Sequence, residues 1–222
     1  MSGNRVGLAV GIALLVVGML PTASAKEHMF VGATKCRSCH KKELIGNQYE
    51  EWQKGPHAKA FATLKGDKAI KIAKEKGLTT PPSESPECLK CHVTAHGVPA
   101  TQIRYPIKPS DGIQCESCHG PGNDYRKKKV MSDEKKAIAA GMWQPGKEEK
   151  LCTSCHNDES PSWDPKKFKL ADGSSVGFDY KQAKEKIAHN IPKDVKGHYL
   201  ELLAKKKAAG GGSADDEEDE EE

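Results

Sequence analysis

Aromatic residues are scarce in this 222-residue chain: Phe, Trp and Tyr together make up 5%, and all hydrophobic residues 36%. A core built from side chains alone is thin for a chain of this length, so something other than polypeptide is expected in the interior. No cysteine falls outside one repeated motif, which argues against an ordinary disulfide scaffold. Strand patterning is weak throughout. No apolar run after the first twenty residues is long enough to cross a bilayer. No nucleic-acid recognition motif is present, and no acid–base constellation marks out an enzyme.

What is present is the pattern Cys-x-x-Cys-His, four times: Cys36–Cys39–His40, Cys88–Cys91–His92, Cys115–Cys118–His119 and Cys152–Cys155–His156, which use all 8 cysteines. This is the spacing of c-type haem attachment. The two thiols form thioethers with the porphyrin, and the His that follows ligates the iron from below. Structural zinc and redox disulfides are the competing readings, but neither requires a His directly after the second Cys. The chain is therefore expected to carry four covalently bound haem c groups. These four large apolar bodies replace the missing core, and a haem-free form is expected to be unfolded or molten.

The first 25 residues read as a secretory leader. Arg5 gives the positive start, Val6 to Leu20 the apolar run, Pro21 the break, and Ala23-Ser24-Ala25 the cleavage pattern. The expected organisation is a leader over 1–25, a haem-bearing domain over 26–207, and a Gly-rich linker with a disordered acidic tail over 208–222. Asp215 to Glu222 are all acidic; without them and the leader, positions 26–214 hold 34 basic and 23 acidic residues, a net of +11. Lys41-Lys42, Lys127 to Lys129, Lys135-Lys136, Lys166-Lys167 and Lys205 to Lys207 are the basic clusters. They suit steering of an acidic redox partner, or a solvated surface balancing propionates. Export agrees with c-type attachment, which is completed outside the cytoplasm, and implies a periplasmic or extracellular protein with no stable membrane span.

The fold expected is mainly α and loop-rich, with the chain wrapped around its haems. Gln48 to Lys76 reads as helical, with Trp52, Ala60, Phe61, Leu64, Ile70 and Ile72 as its apolar set and interruptions at Gly55-Pro56 and Gly66. Ser132 is expected to cap a helix over 133–140 that Gly141 ends. Pro161 to Gly177 reads as loop. Tyr180 to His189 and Val195 to Ala209 read as a helical hairpin.

Nine histidines less four attachment residues leave His28, His57, His96, His189 and His198 as candidates for the second axial position. His as sixth ligand gives a low potential and Met a higher one. His57 leads, at the start of a helix after a Gly-Pro turn, with Trp52 one turn upstream. His189 lies on the expected C-terminal hairpin. His96 is too close to His92 to serve the same haem but can serve a neighbour. His198 stands beside Tyr199, and His28 sits close to the first site. Met131 and Met142 are weaker candidates.

These features, in order, resemble the tetrahaem cytochrome c-554 family, periplasmic electron carriers of ammonia-oxidising bacteria and their relatives. The matching residues are Cys36 to His40 followed by Trp52 and His57-Ala58-Lys59-Ala60, Cys88 to Val93, Gly112, and Cys115 to Gly122. Cys152 to His156 with Ser160-Pro161-Ser162-Trp163, and Phe178-Asp179 ahead of His189, continue the match. The resemblance implies closely stacked haem pairs, distal roles for His57 and His189, and a high-spin haem without a protein distal ligand on the second site. The chain departs from the family in one respect. The family places a distal His shortly after Gly-Pro-Gly, whereas Asn123-Asp124-Tyr125-Arg126 follows here, so one haem takes its ligand elsewhere: from His28, His96, His198, Met131 or another subunit. The acidic tail is not a family feature.

Three functions follow from the sequence. The first is an exported carrier moving electrons between a donor and an acceptor protein, not an enzyme. The second is a haem enzyme reducing nitric oxide, hydroxylamine or nitrite at an open iron. The third is a subunit of a conductive filament whose copies share ligands.

Overall fold

The computed structural model describes residues 27–192 together with 201, 204, 205 and 208. The expected leader, His198 and the acidic tail lie outside the described residues. In chain order the helices are α1 (Ala33–His40), α2 (Gln48–Lys54), α3 (Ala60–Thr63), α4 (Asp67–Glu75), α5 (Pro86–His92), α6 (Cys115–His119), α7 (Lys128–Met131), α8 (Glu134–Ala139), α9 (Glu149–Thr153) and α10 (Tyr180–Ile187). Among the described residues the sheet is one antiparallel pair, β1 (Phe168–Lys169) with β2 (Ser175–Val176), inside the stretch expected to be loop. The architecture is mainly α and rich in loops, as the sequence implies. No helix among the described residues is long and apolar enough to cross a membrane.

The helices are short because glycines and prolines punctuate the chain. Pro86 opens α5 at its first turn, where a missing N–H costs nothing. Asp179 caps α10 by accepting the Gln182 N–H at 2.8 Å. Four details differ from the sequence reading. Asp133, not Ser132, caps α8, because its carboxylate accepts the Lys136 N–H at 3.2 Å while Ser132 closes α7. His57 lies in the turn before α3 rather than opening a helix, and His189 lies two residues beyond the end of α10. Ile70 is 52% exposed. Ala69, Ile72, Ala73 and Lys76 form the inward stripe of α4, and Ile70 falls off that stripe by its helical phase.

Buried apolar side chains are few and scattered: Val31, Ala33, Leu64, Ala73, Val93, Tyr125, Ala137 and Phe168. Polar residues share the interior with them, and Glu116 is the most consequential. It lies between the two cysteines of the third motif and is fully buried. Its carboxylate accepts the N–H groups of Val31 at 2.9 Å, Gly32 at 2.7 Å and Gly122 at 2.7 Å. Gln114 Oε1 takes the next N–H, from Ala33, at 2.6 Å. The segment 29–33 is thereby tied to the third motif, and Asn123 N–H donates to the Met29 carbonyl at 3.1 Å to complete the tie. Burial raises the Glu116 pKa, while the three N–H donors pull it back.

Glu116→Ala is expected to strand all three donors. Each buried unsatisfied group costs roughly 1–3 kcal/mol, so a loss of several kcal/mol is expected, and Glu116→Gln should lose less because its carbonyl still accepts. Denaturant melts of the two variants check this; equal stability of Glu116→Ala and wild type would show that segment 29–33 is held some other way.

Candidate functional site

Helices position the four motifs. α1, α5 and α6 each carry a whole motif; α9 carries Cys152, and a turn directly after it carries Cys155 and His156. Residues three apart share a helix face, so each Cys-x-x-Cys points two sulfurs the same way. All eight cysteines are free of disulfides, and all are at least partly accessible. The motifs are neighbours in space. The Cys36 and Cys115 thiols lie close enough to interact, and so do those of Cys91 and Cys155. Cys118 lies within electrostatic reach of Cys152. The motifs are therefore strung in the order first, third, fourth, second.

The histidines sort onto this string. The His57 and His156 ring centroids are 6.1 Å apart, and those of His119 and His189 are 6.0 Å apart. With roughly 2 Å per metal–nitrogen bond and about 1 Å from nitrogen to ring centre, two imidazoles gripping one metal ion from opposite sides stand about 6 Å apart. His40 lies within electrostatic reach of His119 and His189, and His92 of His156. One half of the molecule thus holds His40, His119 and His189, and the other His57, His92 and His156. Neither His40 nor His92 has a facing ring at that spacing among the described residues.

The unpaired rings are oriented by their second nitrogen. His92 Nδ1 donates to the Ala60 carbonyl at 2.7 Å. A carbonyl only accepts, so Nδ1 carries the proton and Nε2 keeps its lone pair. His40 Nδ1 meets Gln48 Oε1 at 3.1 Å, while the Gln48 amide donates to the Ile45 and Asn190 carbonyls. This arrangement prepares Nε2 of each ring for a metal. Gln48 also connects His40 to the residue after His189. His156 stacks on Phe178, with centroids 5.4 Å apart. Trp52 Nε1–H donates to the Ile113 carbonyl at 2.7 Å, and Ile113 N–H donates to the His57 carbonyl at 2.9 Å. His96 is exposed in a turn beside Ala95, whose φ is +58°, and faces no other ring among the described residues.

Burial lowers the pKa of His57, His156 and His189, and takes His119 down to about 4. The rings are therefore neutral at pH 7, as ligation requires. In the folded chain they bind protons less readily than in the unfolded chain, so the unfolded state takes up protons first as pH falls. Stability is expected to decline as pH drops below the ordinary His value of about 6.5. The decline should continue to about 4, where His119 itself protonates. A denaturant midpoint that is flat between those limits would contradict this.

A model of the family described as cytochrome c554 and c-prime matches residues 35–120. Cytochrome c-554 of Nitrosomonas europaea is 33% identical over 153 residues, covering 63% of this chain and 63% of that protein. Over these stretches the chain is similar to the cytochrome c-554 family. It spans less than two thirds of the length of that curated relative. No solved structure is significantly similar to it.

The c-554 family implies haem c, and three observations show that the residues fit this group. Each motif presents two free sulfurs on one face beside a His. Two His pairs have the separation of axial ligands on one iron. His189 Nδ1 is buried without a hydrogen-bond partner, an orphan that polypeptide leaves unsatisfied. Sequence reasoning did not find the roles of Gln48 and the Ala60 carbonyl, which orient His40 and His92. Gln48 is an ordinary helix-opening residue, and a carbonyl acting as acceptor leaves no side-chain signature.

Proposed function

We propose that the chain is an exported carrier that moves electrons between two protein partners through four covalently attached haems. Cys36, Cys39, Cys88, Cys91, Cys115, Cys118, Cys152 and Cys155 form the thioethers, and His40, His92, His119 and His156 are the proximal ligands. His57 and His189 are distal ligands, of the fourth and third groups respectively. The spacing of the two imidazole pairs carries this reading, because no contact among the described residues other than a shared metal asks two half-buried histidines to stand 6.0 and 6.1 Å apart.

Bound haem supplies an iron that takes up and gives back one electron. The chain does the rest. It holds the attachment sites in contact along the line first, third, fourth, second, so no two successive sites are separated by a stretch of protein. It withholds water from the paired rings, and it sets each potential through ligand identity, burial and nearby charge. Lys41, Lys42, Lys127, Lys128, Lys129, Lys166 and Lys167 are exposed and suit brief docking of an acidic partner. His96 and His198 remain candidates for ligation to a neighbouring group or subunit; His96 stands exposed, and His198 lies outside the described residues.

Haem counting by mass, combined with electron paramagnetic resonance, tests the proposal. Four porphyrins and at least two low-spin bis-His signals are expected. Fewer than four porphyrins, or no bis-His signal, would overturn it.

A second reading rests on a separate observation at the second site. A cavity of about 320 Å³, where the second haem itself would sit, borders His92, Cys88 and Cys91 and is walled by Leu64, Ala69, Ile72 and Ala73 of α4 and its neighbours. With no ring facing His92 among the described residues, the second site suits an open coordination position, where a small nitrogen compound can bind and be reduced. Turnover of nitric oxide or hydroxylamine by the reduced protein would favour this reading; binding without turnover would favour the carrier.

A further inference from the structure

The half of the molecule built on the first and third sites has an imidazole that the pairing above leaves unused. His28 lies at the start of segment 29–33, whose backbone is tied to Glu116, Gln114 and Asn123. Its Nδ1 is 2.7 Å from a carboxylate oxygen of Asp124. The carboxylate accepts, so Nδ1 carries the proton and Nε2 is left with its lone pair. This is the second-nitrogen arrangement of His40 on Gln48 and His92 on Ala60, and it is how proteins prepare a His for a metal. The ring is only partly exposed, at 28%. It packs flat against Gly141, where even a Cβ would come within 2.8 Å of it. Gly141 has φ +99°, which favours glycine, so close approach and backbone conformation both keep that surface bare.

The place of His28 relative to the first site comes from its holder. Asp124 is in the loop 122–126, and two residues of that loop face the first motif: Tyr125 and Arg126 each lie within electrostatic reach of Cys36. In this half, His119 already has His189 opposite it, and His40 has no facing ring among the described residues. The only attachment site here that needs a second ligand is therefore the first.

We propose that His28 is the sixth ligand of the haem carried by Cys36 and Cys39, with Asp124 as the residue that orients it. This rests on the four-haem reading above and adds a ligand supplied by the segment in front of the first motif. The loop after Gly-Pro-Gly keeps a part in ligation through the carboxylate of Asp124. The first site would then be six-coordinate within one chain, with no need for a second subunit.

The test is His28→Ala in the intact haem-bearing protein, read by electron paramagnetic resonance and carbon monoxide titration of the reduced form. One low-spin signal is expected to become high-spin, and one more haem per chain than in wild type should bind carbon monoxide. Added imidazole should restore the lost low-spin signal, which a merely structural role for His28 would not allow. An unchanged spin count with four haems present would overturn this inference while leaving the carrier reading intact; a haem count below four in wild type would instead overturn the carrier reading. His28→Met covers the case in which the alanine variant fails to fold. It should keep that haem low-spin and raise its potential, and a titration curve superimposable on wild type would also overturn the assignment.

Discussion

Replacing Cys115 and Cys118 together with alanine is expected to remove one porphyrin from the chain and to unfold much of what remains. α6 lies at the middle of the string of sites. Cys115 meets Cys36 of the first motif, and Cys118 faces Cys152 of the fourth. Between them Glu116 gathers three backbone N–H groups. The His119 carbonyl accepts the Trp143 N–H at 2.9 Å, and the Gly120 carbonyl accepts the Tyr125 hydroxyl at 2.7 Å. Losing a single buried Phe or Trp costs roughly 3–5 kcal/mol. A porphyrin exceeds any side chain in apolar area, and the whole stability of a domain is about 5–15 kcal/mol. The few buried apolar residues of this chain leave little reserve. Mass analysis should show one haem fewer, and circular dichroism a fold that melts far earlier or is absent. By contrast, Cys88→Ala with Cys91→Ala, at the end of the string, should spare more of the structure. A third-site variant as stable as wild type would mean that the haems do not form the interior.

How far the sequence carries this picture depends on how local each feature is. The attachment motifs are five-residue signals and could be read without the fold, as could the thin core and the mainly α, loop-rich class. The pairing of rings could not. His57 and His156, like His119 and His189, are far apart in sequence, and only the chain path brings them face to face. His57 and His189 stood out as distal candidates, but their partners did not. His28 was one of several open candidates until Asp124 was found beside it, because a carboxylate that orients a ring is identified by proximity rather than spacing. The smaller misses have local causes. Ser132 and Asp133 are both good capping residues, and the backbone leaves the helical conformation at the second. Ile70 was counted with the apolar set by residue type, although its phase on α4 points it to solvent. The β1–β2 hairpin, with two residues per strand, is too short to produce an alternating pattern.

His57→Met is expected to give the largest change in potential of any single substitution at the paired rings while leaving all four thioether sites intact. Exchange of an axial His for Met favours the reduced iron, and axial ligands tune haem potentials over a span of about 0.8 V. One of the haem potentials should therefore rise by a substantial part of that span while the rest move little, visible as one displaced wave in a spectroelectrochemical titration. The change should stay local, because the backbone of His57 is held independently of its ring: its carbonyl accepts the Ile113 N–H, and the Trp52 indole fixes Ile113 from the other side. Gly112 provides an independent check on that support. Its φ is +65°, and a Cβ there would come within 2.5 Å of the His57 carbonyl oxygen. Gly112→Ala should therefore push the His57 backbone away and weaken ligation at the same haem without touching the imidazole. If His57→Met shifts no potential, and Gly112→Ala leaves the low-spin signals as they were, then the ring opposite His156 is not an iron ligand, and the 6.1 Å pairing is a matter of packing alone.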